Sequence, residues 1–242
     1  MPSCRRAPTG RLGSLPVKAV LFDFDGTLWN CEPHVFQAHE EVFLEFEQQL
    51  PVTLWSAVIG TIGFDLWAHL ERLTGASIDR ELIEARVQRR KAELLSRLRA
   101  RPGVRRCLDE ADALGMARGI VSNSPRDWIA TYARQCGISD GWRVVRSADG
   151  DLTRAKPRPD LYMSALASIN VRPEEAVAFE DSPSGIRAAK QAGIRCVAVS
   201  NGMTAAADLG DADIQIDSFE QMSLLHLLKA LGFTITRTTN TK

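Results

Sequence analysis

Two aspartates one residue apart, Asp23 and Asp25 in Val20-Leu21-Phe22-Asp23-Phe24-Asp25-Gly26-Thr27-Leu28, are the first groups in the chain able to do chemistry. Carboxylates this close repel, and keeping them beside an apolar run is costly unless a cation or a reaction uses them. Three later stretches carry matching groups: Ser122-Asn123, Lys156 within Arg154-Ala155-Lys156-Pro157-Arg158-Pro159, and the second acidic pair Glu180-Asp181. A hydroxyl and an amide followed at once by a helix start suit an anion. Carboxylates from two points of the chain can hold Mg²⁺, a hard cation bound by a few protein carboxylates together with substrate phosphate. With a cation and a lysine offsetting the repulsion, one aspartate can attack phosphorus and form an aspartyl-phosphate. A second can protonate the leaving oxygen and later deprotonate water. Ser122, Asn123 and Lys156 would then be the fixed donors for charge on the equatorial oxygens. Taken singly, each stretch also reads as an ordinary capped turn or solvated loop, so the chemistry depends on assembly.

A parallel sheet would assemble them. The apolar residues Val17, Ala19, Val20, Leu21 and Phe22 read as a strand buried on both faces. Further short runs follow at Ala117–Val121, Trp142–Val145, Ala176–Phe179 and Cys196–Val199, with an edge strand at Ile214 and Ile216. They alternate with helical patterns at Val104–Leu114, Pro125–Cys136, Pro159–Ile169, Ser184–Ala192 and Phe219–Leu231. Such alternation predicts βαβ units and a doubly wound α/β sheet, whose strands present their carboxyl ends to a ligand along one edge. Pro125 is expected at the first position of its helix.

Residues 32–100 have a different grammar, helical throughout. Val35, Phe36, Val42, Phe43, Phe46 and Leu50 make one stripe, closed at Pro51. Apolar pieces at Leu54–Ile59 and Phe64–Leu73 follow, and Asp79 is a candidate N-cap for a long helix with Leu82, Ile83, Val87, Leu94, Leu95 and Leu98 on its stripe. The face bearing Arg86, Arg89, Arg90, Lys91 and Arg97 is expected to be solvated. His39, His69, Trp55 and Trp67 are expected to pack rather than bind. The expected organisation is an all-helical insertion after the first strand of a core formed by residues 15–31 and 101–242, with residues 1–14 expected to be a disordered tail.

Composition sets outer bounds. The 242 residues include 30 basic and 30 acidic side chains, which favours neither a nucleic-acid nor a membrane partner. The five cysteines are scattered, as expected of a reduced, cytoplasmic protein. Cys31 lies close enough to the acidic turn to be considered, but no basic partner for a catalytic thiol is evident.

The stretches FDFDGTL at 22–28, VSNSP at 121–125, AKPRPDLY at 155–162 and EDSPSGIRAAKQAG at 180–193 together resemble the haloacid dehalogenase superfamily. Within it, the chain is similar to the phosphatase and β-phosphoglucomutase-like branch with a helical cap. The resemblance covers residues 17–232 and implies a Rossmann-like core. It implies Asp23 as nucleophile and Mg²⁺ ligand, and Asp25 as general acid/base whose main-chain carbonyl also binds the metal. Ser122 and Lys156 would orient and neutralise phosphate; Asp181 would be the third metal ligand, with Glu180 acting directly or through water. Related sequences often read D-G-T-L-V-D-S-E-P-x-H, whereas this chain has Asn30 for the second Asp, Val35 for His, and His34 one place early. No arginine accompanies Gly60-Thr61-Ile62-Gly63, which weakens a phosphosugar mutase reading. The expected activity is Mg²⁺-dependent hydrolysis of a small phosphorylated metabolite, a sugar phosphate, by a monomer or weak homodimer. A β-phosphoglucomutase-like mutase and a non-catalytic phosphometabolite-binding regulator are the alternatives.

Overall fold

The apolar run after Val17 forms strand β1, Ala19–Phe22, in which every residue is buried. In the computed structural model, which describes residues 16–58, 64–204 and 208–235, β1 lies at the centre of a six-stranded sheet. The other strands are β2 (Ala117–Ser122), β3 (Trp142–Ser147), β4 (Ala176–Glu180), β5 (Arg195–Val199) and β6 (Ile214–Ile216). Their order is β3-β2-β1-β4-β5-β6, and all neighbouring pairs run parallel. The chain therefore winds outward on one side of β1 and then, from β4, on the other. The reversal leaves a crevice between the carboxyl ends of β1 and β4. Asp23 and the Glu180-Asp181 pair flank that crevice. The tail and the Gly60–Gly63 stretch of the sequence reading lie outside the described residues.

Helices cover both faces, as burial of a parallel sheet requires. Phe22, Ile120, Val177, Phe179 and Val197 pack beneath α5 (Val104–Ala113), α6 (Arg126–Gln135) and α9 (Leu224–Ala230). Leu21, Val121, Ala178 and Cys196 pack beneath α7 (Asp160–Ile169) and α8 (Pro183–Gln191). Phe22 stacks on Phe179 with ring centroids 5.0 Å apart, joining the two central strands just below the crevice.

Four helices separate β1 from α5: α1 (Glu32–Glu45), α2 (Val52–Val58), α3 (Leu66–Thr74) and α4 (Arg80–Leu95). The carboxylates of Asp65 and Asp79 cap α3 and α4 by accepting from Ala68 N and Leu82 N. Phe36, Phe43, Leu70, Ile83 and Val87 form a separate apolar cluster that Met203, from the loop after β5, enters. Ser56 Oγ donates to the Met203 carbonyl at 2.8 Å, fastening α2 to that loop. The arginine face of α4 is not simply solvated, because Arg90 bonds Glu41 at 2.8 Å and Arg86 pairs with Glu45, both on α1.

The insertion leaves and returns at one point, where Arg101 N donates to the Leu28 carbonyl at 2.9 Å. The Arg101 guanidinium also bonds the carbonyls of Gly26 (2.7 Å), Val199 (3.2 Å), Ser200 (2.6 Å) and Asp217 (3.1 Å).

Several boundaries differ from the sequence pattern, those of α1, α9 and α6 among them. Helix α1 stops at Glu45 rather than near Pro51, because Glu47 turns to φ 56° and Gln48 N bonds Phe43 O. Helix α9 begins at Leu224 rather than Phe219: Ser223 caps it, while Phe219 belongs to the core and its carbonyl accepts from Arg106 at 2.6 Å. Pro125 is the N-cap of α6 rather than its first helical residue.

Candidate active site

The acidic turn is shaped by the residues around it. Asp23 N bonds Phe179 O at 2.9 Å, which extends the β1–β4 pairing by one residue. The chain then doubles back: Leu28 N bonds Phe24 O at 3.0 Å and Gly26 N bonds Trp29 O at 2.9 Å. Gly26 has φ +79°, and a Cβ there would lie 2.0 Å from Asp181 Oδ2. The glycine thus lets the first acidic turn approach the second.

Lys156 stands between the two acidic strand ends. It is 4% exposed, and its Nζ donates to Asp23 Oδ1 and Glu180 Oε1, each at 2.6 Å. Asn123 fixes the lysine main chain from β2: its Oδ1 accepts from Lys156 N at 2.8 Å and its Nδ2 donates to Lys156 O at 3.2 Å. The amide expected to meet phosphate is therefore engaged in holding the lysine loop. Tyr162 OH, on α7, donates to Glu180 Oε1 at 2.6 Å. Ser122, 2% exposed, ends β2, and its Oγ accepts from Ser124 N at 3.1 Å.

Asp25 occupies a separate cradle. Its Oδ1 accepts from Trp128 Nε1 (2.8 Å), Trp29 Nε1 (3.2 Å) and Cys31 Sγ (3.4 Å), and its Oδ2 accepts from Ser124 Oγ. Burial pushes the Cys31 thiol well up, with Asp25 adding to the effect, so this cysteine is a neutral donor and not a reactive thiolate.

The electrostatics are those of a site with surplus negative charge. Burial raises the Asp23 carboxyl well above the usual range; Lys156 opposes the rise, while Glu180 and Asp25 reinforce it. Asp181 is raised by burial and then by Asp23, Glu32 and Glu180. Burial works against the Lys156 ammonium, yet Asp23 and Glu180 outweigh it and hold its pKa above the ordinary lysine value. One buried cation thus faces three buried carboxylates.

These residues fit a divalent cation. Asp23, Glu180 and Asp181 each offer an oxygen, all within 4.8 Å of one another. Among the described residues, Glu180 Oε2 is buried without a hydrogen-bond partner, leaving a lone-pair donor whose desolvation no described protein group offsets. Asp181 is steered by Asn201, whose Nδ2 donates to its Oδ2 at 2.7 Å while its own Oδ1 accepts from Met203 N and Thr204 N at 3.0 Å. Replacing Gly26 by alanine drives a methyl group into Asp181 and imposes positive φ on a residue with a Cβ. The expected loss is about 1–3 kcal/mol of stability, with a smaller rise in Tm on adding Mg²⁺ than wild type shows, both read by thermal unfolding.

A cleft of about 520 Å³ opens above these groups. Asp23, Asp25, Lys156 and Asp181 line it from the sheet edge, and Glu32, Gln88 and Lys91 line it from α1 and α4. Burial, then Asp25, pushes the Glu32 carboxyl up to about 7. Lys91, lowered by burial, lies over the Trp128 ring at 5.0 Å from its centroid. The sequence pattern groups Lys91 with the solvated arginines of α4, but one residue on a helix is a turn of roughly 100°, which carries Lys91 away from Arg90 and into the cleft. His39 packs against Trp55 and Trp67 at 5.0 and 5.7 Å, and Trp67 Nε1 bonds Glu84.

Asn201, Tyr162, Trp128, Lys91 and Arg101 carry structural or cleft contacts that the sequence reading did not assign. Asn201 had a usable signal, since Ser200-Asn201-Gly202 follows β5 as Ser122-Asn123 ends β2.

A family model described as haloacid dehalogenase-like hydrolase matches residues 20–199. The protein YhcW of Bacillus subtilis (strain 168) is 37% identical over 217 residues, covering 89% of this chain and 98% of that protein. The phosphorylated carbohydrates phosphatase of Thermotoga maritima is 29% identical over 179 residues, covering 74% and 82%. The crystal structure of CbbY from Rhodobacter sphaeroides in complex with phosphate has 28% sequence identity and a TM-score of 0.69, covering 87% of this chain and 99% of its own.

Proposed function

The chain belongs to the haloacid dehalogenase-like hydrolases and is a phosphomonoester hydrolase, and from that premise we propose a Mg²⁺-dependent phosphatase of small sugar phosphates that works through an aspartyl-phosphate on Asp23. The observation that carries this reading is the Lys156 ammonium, buried between Asp23 and Glu180 at 2.6 Å from each. It fixes the attacking carboxylate and offsets the repulsion between that carboxylate and an incoming phosphate dianion.

Asp23 attacks phosphorus as the bond to the substrate oxygen breaks, and the departing oxygen takes the proton of the Asp25 carboxyl. Asp25 then accepts a proton from the water that attacks the aspartyl-phosphate, which releases inorganic phosphate and restores Asp23. The Ser122 hydroxyl and Lys156 hold the equatorial oxygens in both steps. Asp23 and Asp181, the Asp25 carbonyl, and Glu180 directly or through water would hold Mg²⁺. The chemistry the cation supplies when bound is neutralisation of phosphate charge.

Residues 32–100 act as a cap over the core formed by 15–31 and 101–242, excluding bulk water while the phosphoryl group moves. The cap side of the cleft carries a carboxyl group, an amide and an ammonium in Glu32, Gln88 and Lys91. That mixture suits the hydroxyls and negative charge of a phosphorylated polyol or sugar. The Thermotoga maritima relative is named for phosphorylated carbohydrates, which agrees with this class. Among the described residues, four buried, unpaired cysteines (Cys31, Cys107, Cys136 and Cys196) suit a reducing cytoplasm.

The test is phosphate release from a panel of sugar, polyol and carboxylic-acid phosphates, with Mg²⁺ and with EDTA. Release from sugar phosphates that EDTA abolishes is the expected result. Interconversion of hexose phosphates without release of phosphate would replace the phosphatase by a mutase. Binding without either reaction would replace it by a regulator.

A further inference from the structure

The Asp25 cradle contains a group with no part in the scheme above. Trp128 sits on the first turn of α6, half-buried at the cleft wall. The start of that helix is anchored to the sheet side: Arg126 N donates to Asp149 Oδ1 at 3.1 Å, and Ser147 Oγ donates to the Ser124 carbonyl at 2.6 Å. The ring is braced by Tyr132, whose centroid is 4.4 Å away, and lies 6.1 Å from Trp29. Its indole is used in two directions at once. The N–H donates to Asp25 Oδ1 at 2.8 Å, and the ring face receives Lys91 Nζ from α4 at 5.0 Å.

We propose that Trp128 is a positioning residue for Asp25 and couples the placement of α4 to that carboxyl group through the Lys91–indole contact. This deepens the phosphatase reading and rests on it for the kinetic part of the test. The 2.8 Å bond is the shorter of the two indole bonds to Oδ1, Trp29 being at 3.2 Å. A rigid aromatic ring with few torsions holds its partner at little entropic cost, so the Asp25 rotamer is set by α6. A cation on the ring face draws electron density from the indole and strengthens its N–H as a donor. Lys91 belongs to the inserted helices and Trp128 to the core. Withdrawing α4 would therefore remove Lys91 from the ring and loosen Asp25. Proton transfer to the leaving group would then be most effective when the inserted helices are in place.

The test uses the full chain and two readouts. The first is the set of indole N–H resonances from its five tryptophans, with Trp128 assigned by its disappearance in Trp128→Phe. Asp25→Asn should move the Trp128 resonance upfield, and Lys91→Met should move it the same way by less. The second is steady-state kinetics of Trp128→Phe, which keeps a ring but removes the N–H. Its kcat should fall about tenfold on an alkyl phosphate, the size of one hydrogen bond to a charged group. On 4-nitrophenyl phosphate, whose leaving group needs little protonation, kcat should change by less than about twofold, with KM for both esters held within about twofold.

A Trp128 resonance that ignores Asp25→Asn overturns the contact, and one that ignores Lys91→Met overturns the coupling. Equal losses of kcat on both esters, or a loss confined to KM, overturn the positioning role in favour of a packing or binding one. Wild-type protein that releases no phosphate from either ester would overturn the phosphatase reading instead, while the resonances still decide whether Trp128 holds Asp25.

Discussion

Lys156→Met is expected to lower stability by about 3–5 kcal/mol, the usual penalty for removing one partner of a buried ion pair, and to abolish measurable turnover. The size follows from what remains. Asp23, Glu180 and Asp181 are 7%, 0% and 2% exposed, and Lys156 is the cation that bonds two of them. Methionine fills similar volume, so the loss is electrostatic rather than a cavity effect. Two conditions should restore part of it. Mg²⁺ brings positive charge to the same oxygens, so the gap in Tm between variant and wild type should narrow as Mg²⁺ is raised. Acidification should act in the same direction. Carboxyl groups whose folded-state pKa lies above the unfolded value bind more protons in the native state, so stability rises as pH falls through the folded pKa. Asp23 and Asp181 are already raised with the lysine present. Without it, the gain on acidification runs from the raised values down to the ordinary carboxylate range. Thermal melts across Mg²⁺ and pH would measure both effects. A Tm gap constant across them would show that the loss lies in packing.

Asp23→Asn is expected to lower kcat by about 10⁴-fold or more, as loss of a nucleophile does, with little change in Tm. The amide oxygen can still accept from Lys156 at the position Asp23 Oδ1 holds, 2.6 Å from Nζ. Removing one of three crowded negative charges also offsets some of what the lysine loses. Mass spectrometry of acid-quenched turnover should find one phosphoryl group on the wild-type peptide containing Asp23 and none on the variant. Hydrolysis by the variant at the wild-type rate would assign the attack to another group, and a large fall in Tm would make Asp23 a structural residue first.

The carboxyl-edge assembly was legible because each strand-end motif is local and parallel topology brings strand ends together. Asp23, Ser122, Lys156, Glu180 and Asp181 could be placed at one edge from patterns a few residues long. Asp25 could be placed there too, but not the two indoles, the thiol and the hydroxyl that grip it, because Trp128 and Ser124 are about a hundred residues away along the chain. Asn123 was found as a polar strand end, while its attachment to the Lys156 backbone depends on how the loop after β3 folds back. Lys91 was obscured by composition: in a helix dense with arginine, only the burial of one position separates a cleft residue from its neighbours. The start of α9 was misplaced because Phe219 has the right spacing for a helix stripe but is held in the core, where Phe179 lies 5.5 Å from it.

The meeting of Leu28 and Arg101 has an evolutionary consequence. Since departure and return are joined by one hydrogen bond, with the Arg101 side chain fastened to four carbonyls, the sheet experiences everything between them as a closed loop. Its ends stay together whatever the length or sequence of the intervening segment, and lengthening a loop adds little to the entropy of closing it. Helices carrying Glu32, Gln88 and Lys91 could be exchanged wholesale in such a lineage while the acidic edge stayed in register. Substrate range could then diversify quickly over a chemical apparatus that barely changes.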